Sequence, residues 1–147
     1  MEALISYLSA ELPDAQFVRQ MIPKDPQPGT FVVAFQNSSP RRETALTYVD
    51  TREWQIIYIA GTRPIDNAEV LRNLTKVQKL TYANQRMAIP INDGSLRYMR
   101  VTGFNFGQPA ELEGGNKAGL AILTTEVRKA RDYETYEKIM EVQVRRG

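Results

Sequence analysis

Three acidic side chains between residues 41 and 54, and one lysine further along, are the residues of this sequence whose types suit hydrolytic chemistry. A metal-dependent nuclease needs two or three converging carboxylates together with a lysine, and Glu43, Asp50, Glu53 and Lys76 would supply them. The carboxylates fall on predicted turns and solvent-facing positions, where most acidic side chains have no chemical role. We therefore interpret them as solvated surface residues and keep a carboxylate-dependent nucleic-acid enzyme as the less favoured alternative.

The sequence contains neither histidine nor cysteine in 147 residues. Those two side chains supply most general bases at neutral pH, most thiol nucleophiles and most transition-metal ligands. The phosphate-binding, dinucleotide-binding and serine-hydrolase motifs that combine glycines with Lys or Ser are also missing. We expect no catalytic residue, no cofactor and no metal, and a protein that works by shape and contact rather than as an enzyme.

Composition is that of an ordinary globular domain, with 42% apolar and 24% charged residues and a formal net charge of +2. Such a weak positive charge is too little to indicate a nucleic-acid-binding protein. No apolar run approaches the roughly 18 residues that a membrane span needs, and the first residues are too polar for a signal peptide. We expect a single soluble domain over residues 1–147, made in a cytoplasm and without a membrane partner.

Two helices are predicted from apolar residues that recur every three or four positions. Leu4 and Leu8 belong to the stripe of an N-terminal helix, and residues 66–82 form a central helix that Asp66 and Glu69 begin as a capping box. The buried stripe of the central helix is predicted to contain Val70, Leu71, Leu74, Val77 and Thr81.

Strands account for most of the remaining chain. They are predicted at residues 16–20, 30–36, 41–49, 54–60, 87–91, 96–104, 119–129 and 140–144, with turns at 37–40, 50–53 and 92–95. Because the strands are grouped rather than alternating with helices, we predict an α+β fold. Its sheet is mostly antiparallel, a meander in the simplest topology, with the N-terminal helix and the central helix packed on one face.

Two segments are predicted to be exposed loops suited to contacts. Residues 22–29 contain three prolines and a glycine, which exclude helix and interior strand. Residues 105–119 are rich in glycine and longer than a compact domain needs for a connection, which predicts a mobile loop. Shortening this second loop is therefore expected to leave the monomer folded and to impair assembly.

The order of these elements resembles that of the tail terminator (tail completion) proteins of long-tailed bacteriophages. The resemblance lies in the N-terminal helix, the proline-rich loop before the strand that ends at Phe35, and the strand with Gln55-Ile56-Ile57-Tyr58 that leads into the central helix. It continues in a late arginine-rich strand and a terminal strand over residues 140–144. Related head–tail joining proteins and tail tube proteins share parts of the same α+β design.

The resemblance implies a structural virion protein. Such proteins form a ring, usually six-fold, on the head-proximal end of the tail, where the ring stops tube polymerisation and provides the surface for joining to the head connector. The implied partners are further copies of the chain, the tail tube protein and the connector or neck protein, and DNA passes through the lumen without sequence-specific binding. The implied location is the virion, after assembly in the host cytoplasm. The alternative is a head-closure or neck connector protein of the same head–tail interface.

The two loops are the candidate contact sites for such a ring. The candidate interface residues are Pro23, Lys24, Asp25, Pro26, Pro28, Phe106, Gln108, Glu111, Glu113, Asn116 and Lys117. The candidate inter-subunit charges are Arg128, Lys129 and Arg131. Each of these residues is chosen for its place in an exposed or charged segment.

Leu74 tests the predicted central helix. Truncation of a core leucine removes apolar contacts and leaves a cavity, so Leu74→Ala should lower the free energy of unfolding by about 2–5 kcal/mol. Chemical denaturation measures the change. An unchanged unfolding midpoint would show that the helix does not bury this residue.

Overall fold

A computed structural model describes residues 1–82, 88–91 and 98–130 of the chain. The helices in this part of the chain are α1 (Glu2–Glu11) and α2 (Asp66–Thr81). The strands are β1 (Gln16–Arg19), β2 (Thr30–Arg42), β3 (Thr47–Ile59), β4 (Ala88–Pro90), β5 (Tyr98–Phe106), β6 (Ala110–Glu111) and β7 (Lys117–Ala130).

The strands form one sheet in the order β1-β2-β3-β7-β5-β4, with β6 paired to β7. The β1–β2 pair is parallel, and the other described pairs are antiparallel. Helix α1 contacts both β1 and β4, the two ends of this order. The sheet therefore curls around the first helix, and the predicted mostly antiparallel sheet is confirmed.

The main core lies between the two helices and one face of the sheet. Leu4 and Leu8 from α1 and Val70, Leu74 and Val77 from α2 belong to one buried cluster with side chains from the central strands. The strand residues of this cluster include Phe31, Val33, Trp54, Ile56, Tyr58, Val101, Phe104, Ala121 and Leu123. The predicted α+β fold, with both helices on one face of the sheet, is therefore confirmed.

Two predicted turns are wrong, because β2 and β3 run through them as one long hairpin. Ser38 pairs with Arg52 and Pro40 pairs with Asp50, so both polar segments are strand. The actual turn lies between the strands, where the Thr44 hydroxyl accepts hydrogen bonds from the Leu46 and Thr47 amides at 3.1 and 2.9 Å. Pro40 is tolerated because β1 ends before this point and no other described strand pairs with this edge of β2, so the edge needs no amide donor here.

The central helix begins at Asp66 itself, so the predicted capping box is wrong. The Asp66 carboxylate instead accepts a hydrogen bond from the backbone amide of Arg63, in the turn before the helix, at 2.9 Å. The prediction that Leu71 is buried is also wrong, because this residue is 41% exposed. The rest of the predicted stripe, which comprises Val70, Leu74, Val77 and Thr81, is buried.

The prediction of one mobile loop over residues 105–119 is wrong, because seven of these fifteen residues lie in strands. Phe106 ends β5, Glu111 lies in β6, and Asn116 is a buried residue immediately before β7, which starts at Lys117. Backbone pairing with the long strand β7 holds parts of this segment in the sheet, although its composition is typical of a loop. Shortening it would therefore remove sheet structure. The predicted turn at residues 92–95, the strand at 140–144 and Arg131 lie outside the described residues.

Gly119 allows α2 to approach β7. A β-carbon at this position would lie 2.7 Å from Leu74 Cδ1 and would also overlap Val70. The helix therefore packs directly on the backbone of the strand, and its two buried aliphatic side chains occupy the space that another residue would fill. At Gly103 on β5, by contrast, a β-carbon would lie 3.5 Å from Thr124, which is ordinary contact.

Gly119→Ala should lower the free energy of unfolding by about 1–3 kcal/mol, because the new methyl group overpacks the helix–sheet contact. Thermal or urea unfolding measures the change. Gly103→Ala is the matched control and should be close to neutral. Equal stability of the two variants would show that α2 does not rest on β7 at this point.

Candidate functional site

The proline-rich loop, residues 22–29, is anchored at its second end. The Gly29 amide donates to the Ile59 carbonyl at 2.8 Å, and the Gly29 carbonyl accepts from the Gln16 amide at 3.4 Å. Gly29 has a φ of +89°, which glycine adopts without strain. The loop between Gln20 and Gly29 carries Pro23, Lys24, Asp25, Pro26 and Pro28 as the sequence predicted, and contains no helix or strand.

The turn before β7, residues 112–116, lies close to this loop. The Leu112 amide donates to the Asn116 carbonyl at 2.8 Å, and the Gly115 amide donates to the Leu112 carbonyl at 2.9 Å. The Asn116 side chain donates to the Ala60 carbonyl at 2.9 Å. Asn116 therefore fastens this turn to the end of β3, a structural role for a residue that was predicted to be an interface contact.

The two predicted contact segments meet at one end of the sheet. Ile22, Pro23 and Pro26 on one side and Leu112 and Glu113 on the other border a cleft of about 400 Å³. We call this region, residues 22–29 and 107–116, the loop end. Lys24 and Glu113 both line the cleft, so each segment brings a charge to it. Gln108 is exposed within the same region, whereas Phe106 is partly buried against the main core.

A second cleft, of about 710 Å³, lies beside the loop end at the start of α2. Part of its polar lining is paired within the chain. Hydrogen bonds from the Arg63 side chain, and then from its backbone amide, hold the pKa of Asp66 below its usual value. Burial first, and then the Glu69 carboxylate, raise the pKa of Tyr58 above its usual value, so the phenol stays neutral at pH 7.

The opposite ends of the same strands form what we call the hairpin end, residues 37–53 and 124–130. At its centre lies the Asp50 carboxylate, whose residue is 4% exposed. It accepts hydrogen bonds from Ser38 at 2.5 Å and from Arg52 at 2.8 Å, and Lys129 lies 3.2 Å away. Burial raises the pKa of Asp50, but these three donors outweigh burial and hold the pKa below its usual value. One carboxylate thus joins β2, β3 and β7.

Two of the three predicted inter-subunit charges, Arg128 and Lys129, are paired within the chain. Arg128 contacts Glu43 at 2.6 Å, and Lys129 contacts Asp50. The hydrogen bond from Arg128, and then that from Thr47, lower the pKa of Glu43. The Arg128 side chain remains 70% exposed and can still contact another molecule. The Lys129 side chain instead contacts the buried Asp50 carboxylate within the hairpin end.

The carboxylates of the nuclease alternative do not converge. Glu43 pairs with Arg128, Asp50 has its own three donors, and Glu53 accepts from the side-chain amides of Gln36 and Asn37 at 3.1 and 3.4 Å. Asp50 and Glu53 are three residues apart on β3 and so point to opposite faces. Among the described residues, no group of three or more acidic side chains is placed to hold a metal ion.

Two exposed leucines, Leu120 on the sheet and Leu71 on α2, were missed by the sequence analysis. On the face of the sheet away from the helices, which we call the outer face, Val18, Val32, Ile57 and Leu120 form one row across four strands. On α2, Leu71 lies on a side of the helix that faces neither the sheet nor the charged residues. The apolar residues on both faces of the central strands already indicated the exposed leucine on the outer face. The exposure of Leu71 depends on the rotation of α2 about its own axis.

Comparison with known proteins adds no family to this description. The chain matches no model of a known protein family, and a search of curated proteins also finds no match. In the described part of the chain, neither helix has the length and apolar character to cross a membrane.

Asp50→Asn tests the hairpin end. The native pKa of Asp50 is below its usual value of 3.8, so its charge stabilises the fold above about pH 4, and that contribution disappears as the pH falls through the native pKa. The substitution should therefore lower the free energy of unfolding by about 1–3 kcal/mol at pH 7, with a smaller difference at pH 3. Urea unfolding at both pH values measures it.

Glu53→Gln is the control, because this side chain lies on the other face of the same strand and its hydrogen-bond donors among the described residues are neutral amides. Its effect at pH 7 should stay within about 0.5 kcal/mol. A difference between Asp50→Asn and the native protein that does not change from pH 7 to pH 3 would contradict an electrostatic role for Asp50.

Proposed function

We propose that this chain is a structural virion protein of the tail terminator type. In this role, copies of the chain form a closed ring, six-fold in the family it resembles, on the head-proximal end of a bacteriophage tail. The ring stops polymerisation of the tail tube and offers its other side to the head connector. The proposal rests on the resemblance in element order and on the surfaces described above.

The observation that carries the proposal is the division of the molecule into two ends. The loop end and the hairpin end lie at opposite ends of β2, whose 13 residues span roughly 40 Å. A ring subunit that stops one polymer and joins another particle needs two separate contact regions of this kind. The exposed residues of both ends lie outside the main core. Their side chains can therefore change with the binding partner without a change in the core.

Both ends are ordered by specific bonds, which suits contact by shape. At the loop end, Asn116 ties the turn before β7 to Ala60, and Gly29 ties the proline-rich loop to Ile59. At the hairpin end, Asp50 ties three strands together. Rigid surfaces lose little conformational entropy on binding, and so retain more of the contact free energy as affinity.

The test is electron microscopy of phage particles made without this protein, with tail length and head attachment scored separately. A terminator predicts tails of variable excess length that carry no heads, because tube growth is no longer stopped. A gold-labelled tag on the complementing protein should lie at the head-proximal end of each tail.

The alternative, a head-closure or neck protein, predicts a different result in the same images. Tails would then have normal length, with label on the neck of complete particles. Complete virions with normal tails in the absence of the protein would contradict both roles.

A further inference from the structure

Strand β2 has a long edge that no described strand pairs with. The neighbouring strand β1 pairs only with the first part of β2, from Thr30 to Val33. From Phe35 to Arg42 every residue of β2 is exposed, and the strand pairs on one side only, with β3. Such an edge presents unpaired amide and carbonyl groups to any other extended chain, and so it invites strand addition and aggregation.

Gln20 occupies the start of this edge, at the point where β1 stops. Its backbone amide donates to the Val33 carbonyl at 2.9 Å, and its side-chain oxygen accepts a hydrogen bond from the Phe35 amide at 3.0 Å. One residue thus satisfies two successive positions of the edge, the second with its side chain in place of a strand carbonyl. Gln20 has a φ of +71°, which is unfavourable for residues other than glycine. This conformation turns the chain away from β2, so β1 does not continue along the edge.

The groups of β2 that face the open edge follow from the bond to Gln20. Alternate residues of a strand direct their amide and carbonyl groups to the same side, and Phe35 directs its amide to the β1 side. Gln36 is an extra residue without a partner on β3, which shifts the alternation by one position. The residues beyond it that face the open edge are therefore Ser38, Pro40 and Arg42. Because proline has no amide hydrogen, the middle position of this edge offers no donor.

Several features of this edge oppose the addition of another strand. The bulge at Gln36 increases the local twist, and Pro40 removes a hydrogen-bond donor from the edge. Arg41 and Arg42 are both exposed, so two copies paired along this edge would bring their arginines together. We propose that Gln20, the bulge and Pro40 keep the edge of β2 closed to strand addition by other copies and by other extended chains. The inference does not depend on the ring proposed above, because it concerns a mode of association that the chain avoids in any assembly.

Hydrogen exchange of single amides, followed by nuclear magnetic resonance on the native chain, tests the open edge. The amides of Ser38 and Arg42 should exchange almost as fast as in an unfolded chain. The amides of Ser39 and Arg41, which face β3, should be protected. Protection of Ser38 and Arg42 equal to that of their neighbours would show that another strand already covers the edge, and would overturn the proposal.

Gln20→Gly tests the side-chain cap. Glycine adopts the same positive φ without strain, so the substitution removes the side chain and leaves the turn possible. Loss of the hydrogen bond to Gln20 should make the Phe35 amide exchange about tenfold faster, while the Ser39 amide serves as the internal control. An unchanged exchange rate at Phe35 would overturn the role of Gln20.

Pro40→Val tests whether the missing donor keeps copies apart. The variant supplies an amide hydrogen and a β-branched side chain at a position that faces the edge. Ser39→Val is the matched control, since it adds the same side chain one residue away, where the amide faces β3. In sedimentation velocity at equal concentrations, Pro40→Val should form larger species than the native protein, and Ser39→Val should sediment like the native protein.

Far-ultraviolet circular dichroism and thermal unfolding establish that each variant is folded. If Pro40→Val does not fold, Pro40→Ser supplies the same amide with a polar side chain and should also form larger species. In those species the amides of Ser38 and Arg42 should become protected from exchange. Sedimentation of the Pro40 and Ser39 variants as species of the same size, whether native-like or larger, would overturn the role of Pro40.

Discussion

The close contact between α2 and β7 determines the arrangement of the rest of the molecule. At Gly119 the helix rests on bare strand backbone, with Leu74 and Val70 in the space that a side chain would occupy. This contact sets the rotation of α2 about its own axis. Once Val70, Leu74 and Val77 point inward, Leu71 must point sideways, where it is 41% exposed.

The hairpin end depends on a different kind of interaction. It extends beyond the helices, so few apolar side chains are available to hold its strands together. The buried Asp50 replaces them with three charge-assisted or hydroxyl hydrogen bonds from β2, β3 and β7. The exposed Arg128–Glu43 pair adds little by comparison, because solvent screens ion pairs at a surface. The order of this contact region therefore depends mainly on one partnered carboxylate.

The sequence predicted the elements that bury apolar side chains and failed where strands are polar. Helices α1 and α2, the centre of β2 and β3, and the end of β5 follow from apolar spacing. The polar halves of the long hairpin were assigned as turns because Asn, Ser, Pro and Asp favour turns when they are considered locally. The pairing of the β3 half with β7 is a long-range contact, and Pro40 is allowed because no described strand pairs with its edge there.

The candidate contact sites were predicted in part. The proline-rich loop is where its composition placed it, and the second segment reaches the same cleft, but Asn116, Lys117 and Phe106 serve the sheet. The positions of Leu71 and Leu120 could not be found from periodicity alone, because an apolar residue at the margin of a stripe is buried or exposed according to what packs beside it. Burial depends on neighbours that are distant in sequence.

The sequence by itself determined that the chain has no His or Cys chemistry, that it forms two amphipathic helices among grouped strands, and that a proline-rich segment interrupts them. These properties follow from residue types and short-range spacing, which act within a few residues. Only the tertiary structure decided the strand order, the joining of the two loops at one end, the pairing of Asp50 across three strands and the rotation of α2. Each of these depends on contacts between segments far apart in the chain, for which local spacing carries no information.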